Sequence, residues 1–166
     1  MSTIEQVSEY FQTLLGQRRE CDLGEVTALT IRRYALAVGE RNPLYFDREY
    51  AQKLGYADII APPNLLASIM EWGVGEAEEQ LHRDGLSGEF LLPRHFSGIR
   101  VMGGGEEMTF YRPVVAGTHV TLLSEVTDTY TKPGSKGLIA FLVFTNTYRD
   151  QNGETLCVCK RTMIAR

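Results

Sequence analysis

The sequence predicts an α+β domain in which an antiparallel sheet packs one face on a buried helix. Three observations predict it. Residues 1–82 carry apolar positions at helical spacing, and residues 98–166 carry strand segments separated by turn residues. Between them, Leu65 to Trp72 is apolar on nearly every side, the mark of a helix buried all round. The 166 residues, 43% apolar and 23% charged, are read as one domain over 1–166, large enough to bury its own core.

The first helix is expected at about 3–15. Ile4, Val7, Tyr10, Phe11, Leu14 and Leu15 fall near helical spacing, with Ser2 or Thr3 as cap and Gly16 as stop. "LTIRRYALAVG" repeats the pattern, with Leu29, Tyr34 and Val38 inward and Gly39 ending it. "FDREYAQKLGY" is a third, short helix that Asp47 opens and Gly55 closes. "PPNLLASIMEWGVGEAEEQL" is a fourth. Pro62 and Pro63 fit only its first turn, since proline lacks the N–H an interior position needs. Gly85 to Gly98 is irregular. Strands follow in "EEMTFYRPV", "THVTLLSEVTDTY", "GLIAFLVFTNTYRD" and "ETLCVCKRTMIAR", separated by "AG", "TKPGSK" and "QNG". "VMGGGEE" reads as an additional strand bent at its glycines; with no helix after it, it is a poor phosphate loop. An open sheet edge invites pairing, so at minimum a dimer is expected.

Composition excludes several functions. The net charge is −4 and no basic stretch exists to neutralise phosphates, which argues against nucleic acid. No apolar run reaches membrane-spanning length, and the default compartment is the cytoplasm. Cys21, Cys157 and Cys159 lack disulfide or metal spacing, and His82, His95 and His119 are scattered, so no metal site is expected. Cys157 and Cys159 lie two apart on one strand and face the same side.

The stretch "YALAVGERNPLYFDREYAQKLGYADIIAPPNLLAS" resembles the signature of the MaoC-like (R)-specific enoyl-CoA hydratases, hot-dog folds related to the dehydratase region of fungal fatty-acid synthase. "FYRPVVAGTHVTLLSEV" is similar to the strand pair of the same family, and the likeness covers roughly residues 25–166. The resemblance implies hydration of an enoyl thioester, or the reverse dehydration. A carboxylate and an imidazole hold the water and move protons, and a backbone N–H at the start of the buried helix stabilises charge on the thioester oxygen. It implies no metal or redox cofactor, only coenzyme A or acyl carrier protein as carrier.

On that pattern the family's Asp falls on Glu40, its His on Tyr45 and its helix-start Gly on Pro63, followed by Asn64, Leu65, Ala67 and Ser68 in register. All three chemical positions differ. Glu displaces the carboxylate by about 1 Å, a shift that can cost about 100-fold. A phenol with a pKa about 10 is a poor exchange for an imidazole near 6.5. Proline has no N–H, and one lost oxyanion donor costs roughly 10²–10³. The plain alternative is a turn at Asn42-Pro43 with a packed Tyr45 ring and a solvated Glu40.

The resemblance implies unequal pairs in which one half is catalytic and the other shapes the acyl tunnel. The leading expectation is a non-catalytic subunit of a heteromeric hydratase or 3-hydroxyacyl-thioester dehydratase. Its partner would be a homologous hot-dog subunit carrying the intact Asp/His pair. Leu65, Leu66, Ile69 and Met70 are candidates to line the acyl pocket, and ordinary core is their alternative. A second expectation is a self-sufficient homodimer using Glu40 as base, Tyr45 or a water as proton donor, and the Asn64 N–H for the thioester oxygen. A third is a non-enzymatic acyl-CoA-binding or assembly module. Arg100, Arg112 and Lys132 are cations that could meet carrier phosphates, although such side chains are usually solvated.

Overall fold

A computed structural model describes residues 2–73, 77–81, 92–93 and 95–166. His82, residues 74–76 of the expected fourth helix and much of the expected irregular stretch lie outside the described residues. Four strands were expected from alternation and a fifth from the glycines. Among the described residues there are five: β1 (Arg18–Glu25), β2 (Val101–Phe110), β3 (His119–Gly134), β4 (Gly137–Arg149) and β5 (Thr155–Ala165). They form one antiparallel sheet in the order β1-β3-β4-β5-β2. It is the sheet-around-a-helix arrangement expected from the sequence pattern.

β1 corrects the reading of residues 1–82 as purely helical. "RRECDLGE" is too charged to signal a strand, yet it pairs along β3 from Arg18↔Glu125 to Glu25↔His119. An edge strand needs only main-chain partners on one side, so its side chains stay largely exposed. "VMGGGEE" and the start of "EEMTFYRPV" are one continuous strand, β2. Its register shifts between Gly103 and Gly105. A Cβ on Gly104 would lie 2.9 Å from the Ile164 side chain, so a side chain there would force its neighbours on β5 to shift. β3 extends through Thr131-Lys132-Pro133, leaving only Ser135 and Lys136 as the turn into β4.

α1 (Ile4–Leu14) begins with a capping box, in which Thr3 and Gln6 satisfy each other's backbone N–H. Its buried Val7 and Phe11 meet Val126, Leu142, Phe144 and Met163 across the sheet. α2 (Ala28–Ala37), capped by Thr27, buries Ile31 and Ala35. Leu29 and Val38, expected inward, are exposed, because the buried stripe is set by i, i+4 from Ile31. α3 (Arg48–Lys53) is capped by the Asp47 side chain on the Tyr50 N–H.

The central helix also departs from expectation. Its regular part is the short segment Leu66–Met70, wound with π-type bonding, and a separate 3₁₀ turn occupies Glu78–Gln80. Leu65 and Leu66 are fully buried, but Ile69 is 41% and Trp72 59% exposed. The helix is therefore buried on the sheet side and open on the other. The second core joins Leu65, Leu66, Ile31, Ile59 and Tyr45 to the sheet residues Val120, Leu122, Tyr148 and Cys159. Each such buried aliphatic side chain contributes about 1.5–3 kcal/mol of hydrophobic stabilisation.

Candidate active site

Three short devices shape the loop after α2. Gly39 adopts φ +77°, a region open chiefly to glycine, and lets the Glu40 N–H turn back to the Ala35 carbonyl at 2.8 Å. The Asn42 side chain accepts from the Leu44 N–H at 3.1 Å and starts a 3₁₀ turn over Pro43–Tyr45. The Ile60 N–H then bonds to the Leu44 carbonyl at 3.0 Å, tying the loop to the segment before the central helix. That segment is pinned to the chain after β2 by Ala61 N–H to Val114 O at 2.7 Å and Ala116 N–H to Ile59 O at 2.9 Å.

These ties close a cavity of about 270 Å³, lined by Tyr45, Pro62, Pro63, Phe110, Tyr111 and Cys157 among others. Two of the three positions that the resemblance picks out, Tyr45 and Pro63, therefore share one cavity. Tyr45 is only 9% exposed, and burial first, then the charge of Glu40, raises its pKa. A phenol held above its ordinary value gives up its proton less readily still at neutral pH. Glu40 is solvent-exposed and is not part of the lining. Asn64 is exposed beyond Pro63, and its carbonyl accepts the Ser68 N–H at 3.0 Å. The Ser68 hydroxyl pairs with the Tyr34 hydroxyl at 3.0 Å, joining the two signature segments. Leu65 and Leu66 lie in the core and Met70 packs against it. Ile69 faces solvent, and none of the four lines this cavity.

Cys157, Phe110 and Tyr111 line the cavity and were not singled out from sequence. The alternation of β5 was the available signal, since it places Cys157 and Cys159 on the helix-facing side. Burial, with Cys159 and Glu71 nearby, pushes the Cys157 thiol up to about 12, so it is a protonated, inert wall at neutral pH. Arg112 stands at the rim, paired with Glu154 at 2.5 Å.

A second polar cluster has no counterpart in the sequence reading. Glu71, just past the central helix, accepts from Asn146 Nδ2 at 3.1 Å, from Arg161 at 2.5 Å and from the Tyr148 hydroxyl. Arg161 also reaches Glu106 on β2 at 2.6 Å and the Ala67 carbonyl at 3.1 Å. The π-type winding makes the last bond possible. The Glu71 N–H bonds five residues back to Leu66 at 2.9 Å and leaves the Ala67 carbonyl for the guanidinium. Trp72 covers Arg161, with the ring centre 5.6 Å from the guanidinium carbon. Burial and the Glu71 carboxylate raise the Tyr148 pKa well above the phenol range. With three donors on Glu71, the cluster ties the end of the central helix to β4 and β5.

Among the described residues no three His, Cys, Asp or Glu side chains converge as metal ligands, and no helix is long and apolar enough to cross a membrane. His119 pairs with Asp22 at 2.7 Å, and the His95 ring lies tilted against Phe96, centroids 4.3 Å apart.

The sheet order and the central helix define a hot-dog domain. By sequence, the chain belongs to the FAS1-like dehydratase domain region family, which matches residues 13–159. A UPF0336 protein of Streptomyces griseus is 31% identical over 144 residues, covering 86% of this chain and 85% of that protein. A probable enoyl-CoA hydratase alpha subunit of Thermomonospora curvata is 28% identical over 147 residues, covering 87% of this chain and 46% of that protein. In structure, the chain is similar to the ChsH1–ChsH2 complex of Mycobacterium tuberculosis. The TM-score is 0.68 at 20% identity, covering 98% of this chain and 92% of the matched chain.

Proposed function

We propose that this chain is the non-catalytic subunit of a heteromeric (R)-specific enoyl-thioester hydratase or 3-hydroxyacyl-thioester dehydratase. It would complete the acyl pocket beside a homologous hot-dog subunit that carries the intact Asp/His pair. One observation carries the reading. The cavity at the family's catalytic position is walled by a buried tyrosine ring and a proline, with Glu40 left outside in solvent. Such a wall can hold an acyl chain but offers neither a buried base nor an N–H at Pro63. A relative described as a probable enoyl-CoA hydratase alpha subunit, and a structural neighbour that is a two-protein complex, support a subunit role. The open edge of β2 supports a partner as well. Met102, Phe110 and Tyr111 on or beside it are exposed, as are Ile69 and Trp72 of the central helix region.

The test is turnover of 2-enoyl-CoA thioesters, from short to bulky, by the purified chain alone and beside Glu40→Gln. The expected result is no turnover by either, with activity appearing when a family member bearing the Asp and His is co-expressed. Turnover by the chain alone that Glu40→Gln abolishes would instead establish the self-sufficient homodimer. No hydratase-like partner and no turnover in any combination would leave a binding or assembly module.

A further inference from the structure

Among the described residues, the outer edges of β1 and β2 meet no other strand, and the two are built differently. β1 carries a charge at five of its eight positions, which discourages any strand neighbour. β2 carries only Glu106 and Glu107 in ten residues, with three glycines and with Met102 and Phe110 exposed. It is the edge that can accept a neighbour, and its two charges sit together near its middle. Glu106 turns to the helix side, where it shares Arg161 with Glu71. Glu107 therefore turns to the opposite face, where it is exposed. Lys160 stands opposite it on β5, but Glu107 forms no ion pair among the described residues. Around the middle of this edge, three carboxylates meet two cations.

A strand that pairs antiparallel with its own copy about a twofold axis sets its central residue opposite itself. The regular part of β2 follows the glycine bend. In registers centred there on residue 106, 107 or 108, Glu107 stands opposite or diagonal to its own copy. Like charges so placed destabilise a strand pair, and opposite charges stabilise it. We infer that the β2 edge disfavours a second copy of this chain and is matched to a different subunit, whose edge strand presents a lysine or arginine opposite Glu107. The kind of protein that supplies this strand rests on the function proposed above, whereas the charge argument rests on β2 alone. The same edge ends at Phe110, and Phe110 and Tyr111 line the Tyr45 cavity. The strand selected at Glu107 would therefore run beside the cavity that the two subunits complete.

The experiment measures self-association of the full chain by sedimentation equilibrium at low salt. Glu107→Gln should strengthen self-association about threefold, and Glu20→Gln, on the β1 edge, should leave it unchanged. Both variants change the net charge by one, so the comparison isolates position from overall charge. Raised salt should shrink the difference between Glu107→Gln and the wild type, because it screens the repulsion. An equimolar mixture of the wild type with Glu107→Lys should associate more strongly than either protein alone. Should Glu107→Gln fail to fold by circular dichroism, that mixture decides. A folded Glu107→Gln that associates no better than the wild type, or a mixture that associates no better than its components, overturns the inference. None of these readouts involves turnover. Failure here leaves the subunit reading standing, and turnover by the chain alone would overturn that reading by a separate measurement.

Discussion

The Tyr45–Pro63 cavity and the Glu71–Arg161 cluster lie on the same concave side of one sheet, yet they are opposites. The first is assembled around a loop and helix start that read as a catalytic signature, and its walls are rings, prolines and a protonated thiol. The second is assembled from residues 71, 106, 146, 148 and 161, which no local motif connects, and it holds the buried charge. The contrast teaches that a motif contiguous in sequence can build a largely uncharged cavity while ion pairs are assembled from residues scattered along the chain. Buried charge here joins the end of the central helix to β4, β5 and the edge strand β2.

The comparison breaks most sharply at Arg161. Arg161→Met leaves Glu71 buried without its cation, and should cost about 3–5 kcal/mol in chemical denaturation. Glu71→Leu added to Arg161→Met should recover much of that loss, because the uncompensated charge is then gone. Little loss in the single variant would mean that the cluster is not an anchor. Tyr148→Phe removes one donor from a carboxylate that keeps two others, and should cost about 1.5–3 kcal/mol by the same measurement.

Alkali sharpens the same contrast. Cys157 and Cys159 are held up to about 12 and about 11 from an ordinary 9.0, by burial first in both cases. Above pH 9 the unfolded chain gives up these protons while the folded chain keeps them. Their stabilisation is therefore complete below about pH 9 and is lost as pH rises through 11 to 12. The slope should be up to about 1.4 kcal/mol per pH unit per thiol. Cys157→Ala with Cys159→Ala should flatten the decline in stability measured across that range. At the small end, Glu40→Gln should change stability by less than about 0.5 kcal/mol in thermal unfolding, as for an exposed loop side chain. A larger loss would place Glu40 in a structural role that its exposure does not suggest.

Much of the fold was legible because its signals are local. The i, i+4 pair Val7–Phe11, the turn residues of Gln151-Asn152-Gly153 and the alternation of β4 and β5 each depend on neighbours along the chain. β1 was not legible. Its side chains bury little, and its place comes from main-chain bonds to β3, about 100 residues away. The outward face of the central helix was misread for a related reason. Ile69 and Trp72 are as apolar as Leu65 and Leu66, and only the position of the sheet separates them. In the site, Tyr45 and Pro63 followed from the signature, while Cys157 and Phe110 entered the cavity through strand pairing.

Sequence by itself determined the α+β class, the family, and the cap and turn residues. These depend on composition, periodicity and motif order, which need no third dimension. Tertiary structure alone decided that Tyr45 is a wall while Glu40 stands in water, and that Glu71 finds Arg161, Asn146 and Tyr148. The physical reason is the same in each case. Burial and Coulomb energy depend on distances between side chains, and the sheet creates those distances between residues far apart in the chain.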